Sequence, residues 1–194
     1  MTTAQILILL GIAISIIANG AYILDTIRGK TKPNRVTWFM WALAPLVGGS
    51  ISLFSGADPW VTSRVILAGV LPGIVFLSSF VDRQAYWKLT AFDVACGILS
   101  LLAFALWFQT RQSAFAILLA ILADLLASVP TFRKIWKFPE TETVFTYVLY
   151  AASFIVVLPA ITVWDVENAA FPVYLIGLNL SLVFLAYRGR SLRG

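Results

Sequence analysis

Residues 4–26 read AQILILLGIAISIIANGAYILDT, with no charged side chain before Asp25. A surface helix of a soluble protein pairs an apolar stripe with a polar face. This segment is apolar all round, and as a helix it exceeds the roughly 20 residues needed to cross about 30 Å of hydrocarbon. The same texture recurs at 36–54, 60–81, 89–109, 113–131, 143–164 and 170–187, so the sequence predicts seven membrane spans with little chain left for a soluble domain. Composition agrees: 60% of the 194 residues are hydrophobic and 12% charged, with a mean hydropathy of +0.91, where a soluble domain carries about 25% charged residues. The first run has no basic residue before it and is too long for the core of a secretory signal, so it is read as a retained helix.

Lys and Arg are enriched in loops that stay cytoplasmic. Arg28, Lys30, Lys32 and Arg35 lie between spans one and two, Arg83 and Lys88 between three and four, Arg133, Lys134 and Lys137 between five and six, and Arg188, Arg190 and Arg193 after seven. Of the 14 basic residues only Arg64 and Arg111 fall on the other side, beside Asp58, Asp165 and Glu167. The expected topology has the amino terminus outside and the carboxyl terminus in the cytoplasm. The net charge of +5 then reflects topology and contact with anionic membrane lipid, not binding of nucleic acid.

Chemistry is constrained by what is missing. The chain has no histidine and one cysteine, Cys96, inside the fourth span. A disulfide framework, the usual zinc sites, Ser-His and Cys-His nucleophile systems and histidine proton relays therefore drop out. No G-x-x-x-x-G-K-[ST] loop is present to hold nucleotide phosphates. The seventh span has no lysine for a retinal Schiff base, and no span shows arginines at every third position as a voltage sensor would. We expect no metal, no cofactor, no catalytic residue and no enzyme activity. An intramembrane enzyme would have to use Asp93 and Asp124, which stand on different helices.

An internal repeat organises the spans. Ala18–Arg28, ANGAYILDTIR, aligns with Ala123–Arg133, ADLLASVPTFR, pairing Ala18 with Ala123, Asn19 with Asp124, Thr26 with Thr131 and Arg28 with Arg133. Further on, Thr37-Trp38-x-x-Trp41-Ala42 matches Thr146-Tyr147-x-x-Tyr150-Ala151, and Val75-Phe76-Leu77 matches Val183-Phe184-Leu185. The expected fold is all-α and integral to the membrane. Two parallel three-helix repeats, residues 1–82 and 111–194, are joined by a linker helix within 83–110.

This three-plus-one-plus-three layout, with basic loops after helices one and five and the Pro130-Thr131 step in helix five, resembles the PQ-loop and SWEET-type seven-helix transporter superfamily. The Pro-Gln dipeptide itself is absent: the first unit has Asp25-Thr26 and the second Pro130-Thr131. The mid-helix Asn of SWEET-type proteins is matched by Asn179, with Leu71 at the equivalent place in the first unit. The resemblance implies a transporter in a bacterial cytoplasmic membrane, moving a small polar solute such as a sugar, an amino acid or a vitamin by alternating access. It equally allows a seven-helix receptor or membrane partner protein that does not transport, since the group also contains the KDEL receptor.

The candidate substrate-binding residues are Asn19, Trp41, Asp124, Tyr150 and Asn179, and the candidate gate or hinge residues are Thr26, Pro130 and Thr131. A carboxylate in mid-span is costly to insert and usually faces a cavity or a partner. Asp124 is therefore read as a protonatable or hydrogen-bonding ligand, with proton or cation coupling open to it; the plainer account is that it bonds a neighbouring helix. Trp41 and Tyr150 stand either as walls of a binding site or in an interfacial belt, while Trp38 and Tyr147 are assigned to the belt. Asp93 is expected to play a structural part near the inner interface, and Asp25 to pair with a loop cation such as Arg28. Pro45, Pro72 and Pro159 each remove a helix hydrogen bond and permit bending.

Overall fold

The computed structural model describes residues 1–54, 59–81, 87–109 and 113–191. Asp58, Arg83, Arg111 and Arg193, used above to orient the chain, lie outside these residues, as do the side chains of Glu167 and Arg190. The described residues form seven α-helices and no strand: α1 Thr3–Ile27, α2 Arg35–Phe54, α3 Pro59–Ser78, α4 Ala91–Gln109, α5 Ser113–Lys137, α6 Val144–Val157 and α7 Val166–Ser191. Short 3-10 turns at Pro139–Thr141 and Leu158–Ala160 flank α6.

Local sequence explains several helix ends. At α1, the Thr2 hydroxyl accepts from Gln5 N at 3.2 Å while the Gln5 side chain accepts from Thr2 N at 2.8 Å, a reciprocal cap. The other end closes as a Schellman turn, with Lys30 N donating to Asp25 O at 2.9 Å and Gly29 N to Thr26 O at 3.0 Å. Gly29 takes the positive φ of 70° that this turn requires. The Asn34 side chain caps α2 by accepting from Val36 N and Thr37 N. At α4 the cap is Thr90 with Asp93: Thr90 N donates to Asp93 Oδ2 at 2.7 Å and Asp93 N to Thr90 Oγ1 at 3.3 Å. Asn34 Nδ2 also donates to Asp93 Oδ1, so one carboxylate joins the starts of α2 and α4. Asp93 thus has the structural part expected of it.

Three boundaries differ from the sequence reading. Helix α5 runs six residues past Thr131 to Lys137, straight through Pro130, because Arg133 and Lys134 are accommodated on the helix and do not end it. Helix α6 stops at Val157, where Pro159 falls inside the 3-10 turn and so ends the helix instead of bending it. Helix α7 starts at Val166 and contains a further proline, Pro172.

Packing follows a regular order. Helix α3 lies between α1 and α2, and α7 lies between α5 and α6. Across these groups α1 packs on α6 and α2 on α5, with α4 lying against both α2 and α5. Glycines allow the closest approaches: a Cβ added at Gly69 would lie 2.8 Å from Leu46 N and 2.9 Å from Ala42 O of α2. One at Gly97 would lie 2.7 Å from Val36 Cγ1.

Among the described residues three helices are long and apolar enough to cross a membrane: Thr3–Ile27, Ala114–Lys137 and Asn168–Gly189. Shorter apolar helices cover Ser63–Ser78, Ala91–Trp107 and Val144–Ala160. The outer surface is unusually greasy, with Ile6, Leu10, Ile17 and Leu24 exposed on α1, Ile98, Leu102 and Leu106 on α4, and Leu118, Leu122 and Leu125 on α5. Apolar stripes of this extent are what a hydrocarbon environment tolerates and water does not.

Candidate functional site

A cavity of about 480 Å³ lies among α2 to α7. It reaches the end of the bundle where α4 and α6 finish, at Trp107 and Leu158, and where α5 and α7 begin, at Ile117 and Phe171. Among the described residues its wall is mostly apolar, and the polar groups on it are few: Arg64, Ser100, Asp124, Tyr150, Asn179 and the Trp41 and Trp107 indoles. Trp41, Asp124, Tyr150 and Asn179, four of the five residues named as substrate-binding, are thus brought to one cavity from α2, α5, α6 and α7. The fifth, Asn19 on α1, stands behind Tyr150 and accepts its hydroxyl proton at 2.6 Å, while its own amide donates to Ser15 O.

Hydrogen bonds fix the polar side chains of the wall. Tyr174 OH donates to Asp124 Oδ2 at 2.8 Å, and Trp41 Nε1 donates to Ser128 Oγ at 3.2 Å, whose own proton goes to Asp124 O. Asn19 and Asp124, aligned by the repeat, therefore each accept a tyrosine hydroxyl. The carboxylate keeps further accepting capacity, since an ionised carboxyl offers about four lone-pair positions. Asn179 Nδ2 donates to Leu175 O on its own helix. Asp93 and Asp124 line separate cavities, Asp93 a smaller one of about 140 Å³.

Below Trp41 the aromatic rings continue inward and the path is filled. Trp38 meets Trp41 edge-to-face with ring centroids 5.1 Å apart and lies tilted against Tyr22 at 4.5 Å, and Tyr147 meets Tyr22 edge-on at 6.4 Å. Trp38 and Tyr147 are fully buried, which corrects their assignment to an interfacial belt: their polar tips point into the protein. Trp38 Nε1 donates to Tyr22 OH at 3.3 Å, and Tyr22 OH and Tyr147 OH each donate to Glu142 Oε2 at 2.8 Å. Glu142 also forms an ion pair with Lys134, both side chains being fully buried, and the Lys134 ammonium donates to Lys32 O. Lys134 was counted above as a cytoplasmic loop charge; it is instead a core residue, held there by a carboxylate eight positions along the chain.

The two loops that follow α1 and α5 are joined by this layer. Lys32 N donates to Thr141 O at 3.0 Å. Thr143 Oγ1 donates to Asp25 Oδ2 at 2.9 Å and, its proton so engaged, accepts from Thr31 Oγ1. Asp25 is therefore bound to Thr143, not paired with Arg28 as expected. Residues 25–32 and 134–143 are thus tied together beneath the cavity.

The expected gate residues lie in or beside this layer, off the large cavity. Thr131 Oγ1 donates to Thr37 Oγ1 at 3.0 Å, which donates to Ala127 O at 2.6 Å. The matching Thr146 donates instead to Ala18 O at 2.9 Å, one turn out of step, and Ala123 O, the counterpart of Ala18 O, takes the Ser100 hydroxyl of α4. This slip leaves Thr26 Oγ1 buried without a hydrogen-bond partner. Pro130 is buried within α5 and lines the smaller cavity. Glu142 and Tyr22 were missed from sequence; the one local signal for Glu142 is an acidic pair, Glu140 and Glu142, inside an otherwise basic loop.

No family model, no curated protein and no solved structure matches this chain.

Proposed function

We propose that the chain is a seven-span transporter of the bacterial cytoplasmic membrane, with its amino terminus outside, that moves a small polar solute by alternating access between two three-helix bundles. The observation that carries this reading is the cavity of about 480 Å³, a size suited to a small ligand, in which Trp41, Asp124, Tyr150 and Asn179 converge from helices of both bundles. Helix pairing supports the two bundles and the resemblance to the PQ-loop and SWEET-type fold: the third helix lies between the other two in each, and α1 on α6 mirrors α2 on α5. The cavity ends on the weakly charged side, and the layer from Trp38 to Glu142 closes the basic side. That arrangement corresponds to an outward-facing state. For solute to pass inward, the links between residues 25–32 and 134–143 must part; Thr26 Oγ1, unpaired here, gains by any rearrangement that supplies an acceptor.

The test is uptake by proteoliposomes offered labelled sugars, amino acids and nucleosides. A solute taken up by the native protein is expected to be lost in the Asp124→Asn, Trp41→Ala double variant. Uptake unchanged in that variant would remove this cavity as the transport site.

A further inference from the structure

Among the described residues the cavity wall carries two formal charges of opposite sign, one from each proposed bundle. Asp124 lies on α5, where the hydrogen bond to its Oδ2 comes from a neutral group, Tyr174 OH. Arg64 lies on α3, its guanidinium carbon 6.0 Å from the centroid of the Phe154 ring. Among the described residues neither Arg64 nor Asp124 forms a salt bridge, so neither of these charges is met there by an opposite charge of the described protein. A charge held against an apolar wall is expensive unless something compensates it, and two such charges of opposite sign in one cavity are compensated together by a ligand that carries both. Phe154, Tyr150 and Trp41 supply apolar and aromatic surface in the same cavity.

Resting on the transport reading of this cavity, we propose that its solute is a zwitterion with an apolar body, its ammonium group taken by Asp124 and its anionic group by Arg64. Such a ligand bridges α3 and α5, and with them the two bundles. A neutral sugar of equal size leaves both protein charges unmatched and strands its hydroxyls against apolar wall.

The experiment uses the full chain in lipid nanodiscs, titrated with alanine, leucine, phenylalanine and tryptophan, with the amide and the N-acetyl derivative of each, and with glucose. The free amino acid of best-fitting size is expected to bind, and its two half-charged derivatives to bind about 10- to 100-fold more weakly, as loss of a hydrogen-bonded charge implies. Arg64→Gln should lower the affinity for the amino acid to that for its amide while leaving the amide unchanged, and Arg64→Lys should restore part of the difference. Asp124→Asn should do the same with respect to the N-acetyl derivative. Equal affinity for amino acid and amide, or an amino acid preference that survives Arg64→Gln, overturns the assignment. Binding and flux of glucose, with every amino acid silent, overturns the zwitterion and leaves the transporter standing. Absence of binding and of flux for the whole series and for the sugars and nucleosides of the uptake screen removes both.

Discussion

Replacing Glu142 by Gln tests the closed layer most directly. The Gln side chain keeps an oxygen able to accept from Tyr22 and Tyr147, which donate to Glu142 Oε2 at 2.8 Å each, so the substitution isolates the ion pair with Lys134. That pair is fully buried on both sides, and removing one member of a buried pair costs about 3–5 kcal/mol because the other charge is left without its counter-ion. Here Lys32 O still accepts from the ammonium, which places the expected loss near 3 kcal/mol, the lower end of that range. Glu142→Ala strips both tyrosine hydroxyls of their acceptor as well, adding about 1–3 kcal/mol for each buried donor left unsatisfied. The double variant Lys134→Met, Glu142→Gln removes the stranded charge and should recover most of the loss. Equilibrium unfolding in detergent micelles of the native protein, Glu142→Gln, Lys134→Met and the double gives the coupling energy as a cycle. Strictly additive losses, or a Glu142→Gln cost within about 0.5 kcal/mol, the range of an ordinary surface change, would refute the account of this layer.

Two further outcomes follow from packing. Trp38→Ala opens a cavity beneath Trp41 and should cost about 3–5 kcal/mol, whereas Trp136→Ala, at a position 53% exposed, should shift the same unfolding midpoint little. Gly69→Ala drives a methyl group into the α2 backbone, with Leu46 N only 2.8 Å from the new carbon, and should cost about 1–3 kcal/mol as overpacking does. Gly177→Ala meets nothing within 4 Å and should be neutral or stabilising by up to about 1 kcal/mol, since alanine is the better helix former; a drop in melting temperature equal to that of Gly69→Ala would contradict the helix packing described.

The positions of the helices were legible because charge-free runs have one physical explanation, and the cavity set was largely legible because Asp124, Trp41 and Tyr150 fall at repeat-related points where polar or ring-bearing side chains recur. Periodicity alone could not separate Trp38 from Trp41. They stand one turn apart on the same helix, and which of them is sealed and which lines the cavity depends on Tyr22 arriving from α1. Lys134 was misread for a similar reason: next to Arg133 and Lys137 it looks like a loop charge until Glu142 folds back upon it. Glu142 and Glu140 are two residues apart in one loop, and Glu140 is exposed while Glu142 is buried. Only tertiary contact distinguishes them.

The ties between residues 25–32 and 134–143 also set an order of assembly. Of the seven helices α1 is synthesised before the others, yet it packs on α3 and most extensively on α6, without comparable contact to its immediate successor α2. Tyr22, Asp25 and the Lys32 carbonyl have to wait for Lys134, Glu142 and Thr143 to be synthesised before their hydrogen bonds exist. Until then the polar end of α1 stays unsatisfied or hydrated, and the layer is completed only once α6 has been made, which ties α1 to a segment synthesised more than a hundred residues later.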